Sequence, residues 1–333
     1  MFFPESYSLA VVLCVITMLC WGSWANTQKL ATKDWPFPLF YWDYALGIVI
    51  LSLVFGLTLG NTGSQGRSFF EDLQQGSQAS YISALTGGVV FNIANLLIVA
   101  AIDIAGMAVA FPVGIGIALV LGVVVNYLAT PLGDPLYLFL GVGLVAVAIV
   151  LDALAYKKLS SGQQSTPVKG IVLSVLGGVL MGFFFRFVAS AVAIDFANPE
   201  IGKFTPYSAV LVFSIGIFLS NFLWNTFFML KPFKGEKVTY GDYLKQGNFK
   251  LHAIGILGGI IWCIGMSFSM IASEKAGFAI SYGLGQGATM VAAAWGVFIW
   301  KEFEQAPKGT KPLINLMFLS FIVGLTLIII ARV

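Results

Sequence analysis

Apolar runs of about twenty residues, separated by short polar turns, follow one another from end to end of the chain. Runs of this length suit helices that cross a bilayer, which need about 20 apolar residues. A membrane β-barrel would instead show segments of about ten residues with alternating polarity. The pattern predicts an all-α polytopic membrane protein with ten transmembrane helices, at about 7–27, 39–60, 80–101, 104–127, 135–156, 168–193, 206–230, 250–273, 277–300 and 312–331. The breaks carry turn residues or charge: DWPFP at 34–38, the polar stretch 61–79, TPLGDP at 130–135, KKLSSGQQSTP at 157–167, NPEIGKFTP at 198–206 and a basic stretch from 231 to 250. No room is left for a separate soluble domain.

A repeat runs through these spans. Residues 87–128 align without a gap on 258–299 at a shift of 171. Matches fall at Gly87/Gly258, Gly88/Gly259, Ala105/Ala276, Gly106/Gly277, Ala108/Ala279, Gly114/Gly285 and Gly116/Gly287. The repeat predicts two five-helix units, 1–160 and 165–333. Five is odd, so the second unit enters the membrane in the opposite direction. Inverted repeats of this kind build many secondary transporters, with the solute site near mid-depth between the halves.

Composition agrees with the pattern: the chain is 58% hydrophobic and 10% charged, against about 25% charged in a soluble domain. A net charge of +3 gives no reason to expect nucleic acid as a partner. Cys14, Cys20 and Cys263 lie singly inside apolar runs and read as small hydrophobes. No metal-type cluster is visible, and the first apolar run lacks the basic start of a signal peptide, so it reads as the first membrane helix. The connections after spans 1, 3, 5, 7 and 9 hold 13 Lys and Arg, the opposite side holds 4, and Arg186 lies within a span. By the positive-inside rule both termini are expected outside the cytoplasm, in an inner or plasma membrane.

Polar side chains inside the spans are the candidates for chemistry. Arg186, in MGFFFRFVASAV, reads as a cation near the middle of the sixth span. A charge at mid-membrane costs about 2.5–3.5 kcal/mol on insertion scales, so it faces a partner or water. It either holds a carbonyl or anionic group of a solute or forms a fixed ion pair. Asp43, at the start of the second span, is the best-placed carboxylate for ion coupling, with an N-terminal cap as the other reading. Asp152 and Glu274 are weaker coupling candidates; both lie close to predicted interfaces, where a solvated cap is the commoner reading.

Asn92 and Asn95 share one helix face, as do Asn221 and Asn225, and Gln286 sits between Gly285 and Gly287. Amides offer donors and acceptors to a neutral polyfunctional solute, or simply bond between helices. Trp21 and Tyr282, more than Trp24 and Trp262, are placed to stack on a flat ligand. The glycines read as close-packing and bending positions. His252, the only histidine, reads as a helix end; with no nucleophile–base spacing an intramembrane enzyme is not expected.

Four segments carry a family resemblance: WGSWANTQKL at 21–30, FYWDY at 40–44, GGVV at 87–90 with Asn95-Leu96, and Asn126-Tyr127. They resemble the drug/metabolite transporter superfamily, and within it the ureide permease family, with the bacterial glucose/ribose and rhamnose porters next. The resemblance implies import of a small polar solute (a ureide, a nucleobase-like compound or a sugar) driven by protons or sodium, with no other cofactor. The protein would work as a monomer or homodimer among membrane lipids. Export of metabolites or amphipathic drugs is the alternative within the same superfamily. Plant ureide permeases have a longer central loop with a nucleotide-binding-like motif; residues 157–167 hold no Gly-x-x-x-x-Gly-Lys-[Ser/Thr], so no nucleotide binding is expected.

Overall fold

The computed structural model describes residues 1–31, 35–159, 168–233 and 235–333. The central connection lies mostly outside them, as do Lys33 and Lys234. In chain order the helices are α1 (Tyr7–Ser23), α2 (Ala25–Ala31), α3 (Phe37–Leu57), α4 (Phe69–Gln75), α5 (Gln78–Ala105), α6 (Met107–Ala129), α7 (Pro135–Leu159) and α8 (Val168–Ala191). Then follow α9 (Pro206–Asn221), α10 (Trp224–Leu230), α11 (Tyr240–Gln246), α12 (Phe249–Ala276), α13 (Phe278–Gly285), α14 (Ala288–Ala294), one π turn at Trp295–Ile299, and α15 (Thr310–Ile330).

Among the described residues nine helical stretches are long and apolar enough to cross a membrane, counting α1 with α2 and α9 with α10 as single spans. Their outward faces are apolar: Val12, Leu53, Ile82, Val120, Leu140, Leu176, Leu219, Leu257 and Leu319 are all exposed. A helix satisfies its own backbone, so such faces are stable against lipid. The protein is a polytopic all-α membrane protein.

The stretch expected as a ninth span, 277–300, differs. It forms α13, α14 and the π turn, broken at Gln286 and Gly287. There the Gly287 amide bonds Leu284 and the Thr289 amide bonds Gln286, a tighter winding than an α-helix. Glycine on both sides of Gln286 lowers helix propensity at this point.

The shift of 171 is visible in the backbone. α4 and α11 have seven residues each and differ by 171; α5 and α12 have 28 each and differ by the same 171. Gly106 and Gly277 end the two long helices in nearly one conformation, φ 79° ψ 157° and φ 83° ψ 151°, a region that favours glycine. Packing between the halves is reciprocal. A Cβ on Gly88 of α5 would strike the Phe213 carbonyl of α9, and one on Gly216 of α9 would strike the Leu85 carbonyl. A Cβ on Gly259 of α12 would strike the Tyr44 carbonyl of α3, and one on Gly47 of α3 the Ile256 carbonyl. Glycine here lets the backbones touch. The polar stretches 61–79 and 231–250, expected as plain connections, carry the short helices α4 and α11.

Candidate functional site

Seven helix segments deliver one continuous aromatic cluster to the middle of the bundle. Trp262 of α12 lies near its centre. It stacks on Trp21 of α1 at 5.9 Å and 17°, packs on Phe91 of α5 at 4.4 Å, and faces Phe213 of α9 at 6.0 Å and Tyr44 of α3 at 6.4 Å. Phe184 of α8 joins Phe91 to Tyr282 of α13. Tyr41 stacks on Tyr44 at 5.3 Å and its hydroxyl accepts a hydrogen bond from Asn95 Nδ2 at 3.2 Å. The indole N–H of Trp21 donates to the Trp262 carbonyl. Gly285 lies so close to Trp21 that a Cβ would come 2.8 Å from its ring. This puts the broken helix, and Gln286 with it, beside the cluster.

The predicted binding residues divide into two groups. Trp21, Asn95, Tyr282 and Gln286 belong to or adjoin the cluster. Tyr282 is fully buried and donates to the carbonyls of Ala118 and Met181, which fixes its ring. The Gln286 side chain makes no hydrogen bond among the described residues. Asn92, Asn221 and Asn225 lie instead along the contacts of α9 and α10 with the first half. Asn92 donates to Ile217 O and Ser220 Oγ, and Asn225 to Pro38 O. Asn221 is buried with both amide atoms unpaired among the described residues, an arrangement that costs free energy unless something else bonds there.

Arg186 lies five residues before the end of α8, nearer the helix end remote from most of the lysines. It is half-buried and has no hydrogen bond or ion pair among the described residues. Its neighbour Phe185 packs on Tyr282 at 5.0 Å, so the guanidinium stands one residue from the edge of the cluster. Asp152 is buried in α7 without a hydrogen bond among the described residues. One turn later, the Tyr156 hydroxyl donates to Glu302, which also receives Lys29 at 2.6 Å. Burial pushes the Glu302 carboxyl up, but the bonds from Lys29 and Tyr156 outweigh it and hold the group below its ordinary range.

Asp43 is not a helix cap. Its side chain is 1% exposed and accepts from three groups: Trp35 Nε1 at 3.1 Å, the Tyr243 hydroxyl at 2.6 Å, and His252 Nδ1 at 2.9 Å. Tyr243 comes from α11, so this short helix is tied onto the lysine-rich end of α3. Burial and the bond to Asp43 hold the Tyr243 hydroxyl well above the usual phenol range. Tyr41 and Tyr44 of the aromatic cluster flank Asp43 on the same helix. Sequence reasoning missed His252 and Tyr243, since Asp43 is 209 and 200 residues away from them. The signal was the coincidence of the only histidine with an intramembrane carboxylate at the same predicted face.

A family model described as ureide permease matches residues 40–167 and 160–331, one stretch in each half. Ureide permease 1 of Arabidopsis thaliana is 22% identical over 98% of this chain and 98% of that protein. Ureide permease 5 of the same plant is 23% identical over 97% of this chain and 94% of that one. A solved crystal structure of another protein superposes with a TM-score of 0.59 at 16% identity, covering 98% of both chains, a likeness of fold alone. With the family match spanning both halves, the chain belongs to the ureide permease family.

Proposed function

We propose that the protein is a secondary active importer of a small, flat, polar solute of the ureide or nucleobase-like class. The observation that carries this reading is the aromatic cluster around Trp262, bordered by amides and hydroxyls whose bonding is incomplete. Rings stack on a planar solute. Gln286, Asn95 and the unpaired Tyr44 hydroxyl offer it donors and acceptors, and Arg186 offers a cation toward the opposite face. The relatives named ureide permeases support the same solute class. A sugar is the second class to test, since amides and aromatic faces also suit sugars.

The two halves act as an inverted repeat, with ten spans when α13, α14 and the π turn are counted as one. Reciprocal glycine contacts supply close, sliding surfaces between the halves, as alternating access requires. The lysine-rich face is cytoplasmic and both termini lie on the other side. A proton is the coupling ion, carried by Asp43 with His252. Losing or gaining charge there alters the hydrogen bonds that hold α11 onto α3, and α3 carries Tyr41 and Tyr44 into the cluster.

The test is thermal stabilisation of the purified protein by allantoin, uracil, xanthine and a panel of hexoses and pentoses. A solute that binds only the folded state raises the melting temperature by mass action. A shift with a ureide or nucleobase supports the reading; a shift with sugars alone overturns the solute class. Arg186→Ala should fold normally yet bind more weakly, and unchanged binding removes Arg186 from the site.

A further inference from the structure

An apolar cavity of about 220 Å³ lies between α5 and α10, lined by Ile93 and Leu97, by Trp224, Phe227 and Phe228, and by Phe233. The two halves treat this place differently. The reciprocal contacts pair α5 with α12 at a shift of 171 and α9–α10 with α3 at a shift of 169. In that register Leu97 corresponds to Phe268 and Trp224 to Phe55. Phe55 and Phe268 stack at 5.9 Å and 15° and occupy their groove with protein side chains. Leu97 offers no ring to Trp224, and the groove stays open.

The open groove faces the membrane, not the solute path. Leu223 and Phe227, on the same turns, are 61% and 49% exposed. Its volume is below the roughly 300–1,000 Å³ of pockets that enclose a small molecule, and it suits a stretch of chain entering from the side. Its rim is basic. Lys169 Nζ lies 4.5 Å from the centre of the Phe233 ring, and Lys231 Nζ lies 5.9 Å from that of Phe227. Neither lysine has a carboxylate partner among the described residues.

We propose that this cavity is a binding site for an anionic phospholipid of the lysine-rich leaflet. One acyl segment fills the space left by Leu97, and the phosphate lies between Lys169 and Lys231. Apolar walls recognise the chain, and the two ammonium groups recognise the charge. The site is distinct from the aromatic cluster and does not depend on which solute is carried.

The test compares dioleoylphosphatidylglycerol with dioleoylphosphatidylcholine as titrants of the purified full-length protein, read by thermal unfolding and by native mass spectrometry. Phosphatidylglycerol should raise the melting temperature more and survive as a bound adduct. Lys169→Gln and Lys231→Gln should each weaken its binding about fivefold, the effect of one basic residue at an anionic surface. Leu97→Phe, which installs the residue of the corresponding groove, should abolish the difference between the two lipids. Equal stabilisation by both lipids in the native protein overturns the proposal. So does unchanged phosphatidylglycerol binding in the lysine variants, which decides the matter even where Leu97→Phe fails to fold.

Discussion

The two short helices α4 and α11 occupy the same place in the two halves, yet each is tied down by different chemistry. Beside α4, Asp72 is fully buried, 2.8 Å from Arg67, and takes two further bonds from the amide and hydroxyl of Thr205 at the start of α9. Arg67 also donates to the carbonyls of Pro199, Glu200 and Lys203. Beside α11, Tyr243 stands where Asp72 stands and His252 where Tyr81 stands, and the carboxylate is Asp43 on the long helix. Arginine stays charged at all physiological pH. Histidine is the side chain that ordinarily changes charge between about pH 5 and 8. One face of the bundle is therefore held by an ion pair with an always-charged arginine, and the other by a carboxylate bonded to a tryptophan, a tyrosine and a histidine.

The largest expected effect comes from breaking the permanent pair. Asp72→Ala removes the buried carboxylate that pairs with the partly buried Arg67 and accepts from Thr205, a type of loss that costs up to about 3–5 kcal/mol. Thermal unfolding should show a strong destabilisation whose size is the same at pH 6 and pH 8. A loss that appears at only one of these values would blur the contrast between the faces. Next comes the titratable pair. Asp43→Asn should flatten the pH dependence of uptake while the protein still folds. His252→Tyr, the residue of the other half, should do the same, and a full pH profile in either variant would place the coupling elsewhere.

A third experiment concerns the other asymmetry, the helix that is continuous at Ile115 but broken at Gln286. Gln286→Ile should raise KM for the solute several-fold or more by removing the unpaired amide, with little change in melting temperature. An unchanged KM would remove Gln286 from the site. The smallest effect is expected at Glu302. Its carboxyl titrates lower in the folded protein than when unfolded, so its contribution is present above the ordinary carboxylate range and fades as pH falls through the lowered value. Glu302→Gln should therefore cost a little stability at pH 7 and progressively less as the pH falls below the ordinary carboxylate range, by melting temperature.

The long spans and the 171-residue shift were legible in the sequence because length, apolarity and glycine spacing are local properties. The short helices were not, since the stretches around α4 and α11 are polar and look like connections. Gln286 was singled out for its flanking glycines, but those glycines were read as packing positions when they also break the helix. The Asp43 cluster is the instructive miss. Its members come from the segment before α3 and from α11 and α12, and no local pattern joins Trp35 to Tyr243 or His252. Only the fold brings them onto one carboxylate.

The most direct test of the account is uptake of labelled allantoin or uracil into vesicles holding the purified protein, with an imposed pH gradient, for the native chain and Asp43→Asn. Solute should accumulate in vesicles with the native protein and the accumulation should collapse with the gradient, while the variant should show only slow equilibration. No movement of any ureide, nucleobase or sugar by the native protein, with a control transporter active in the same vesicles, would contradict the account.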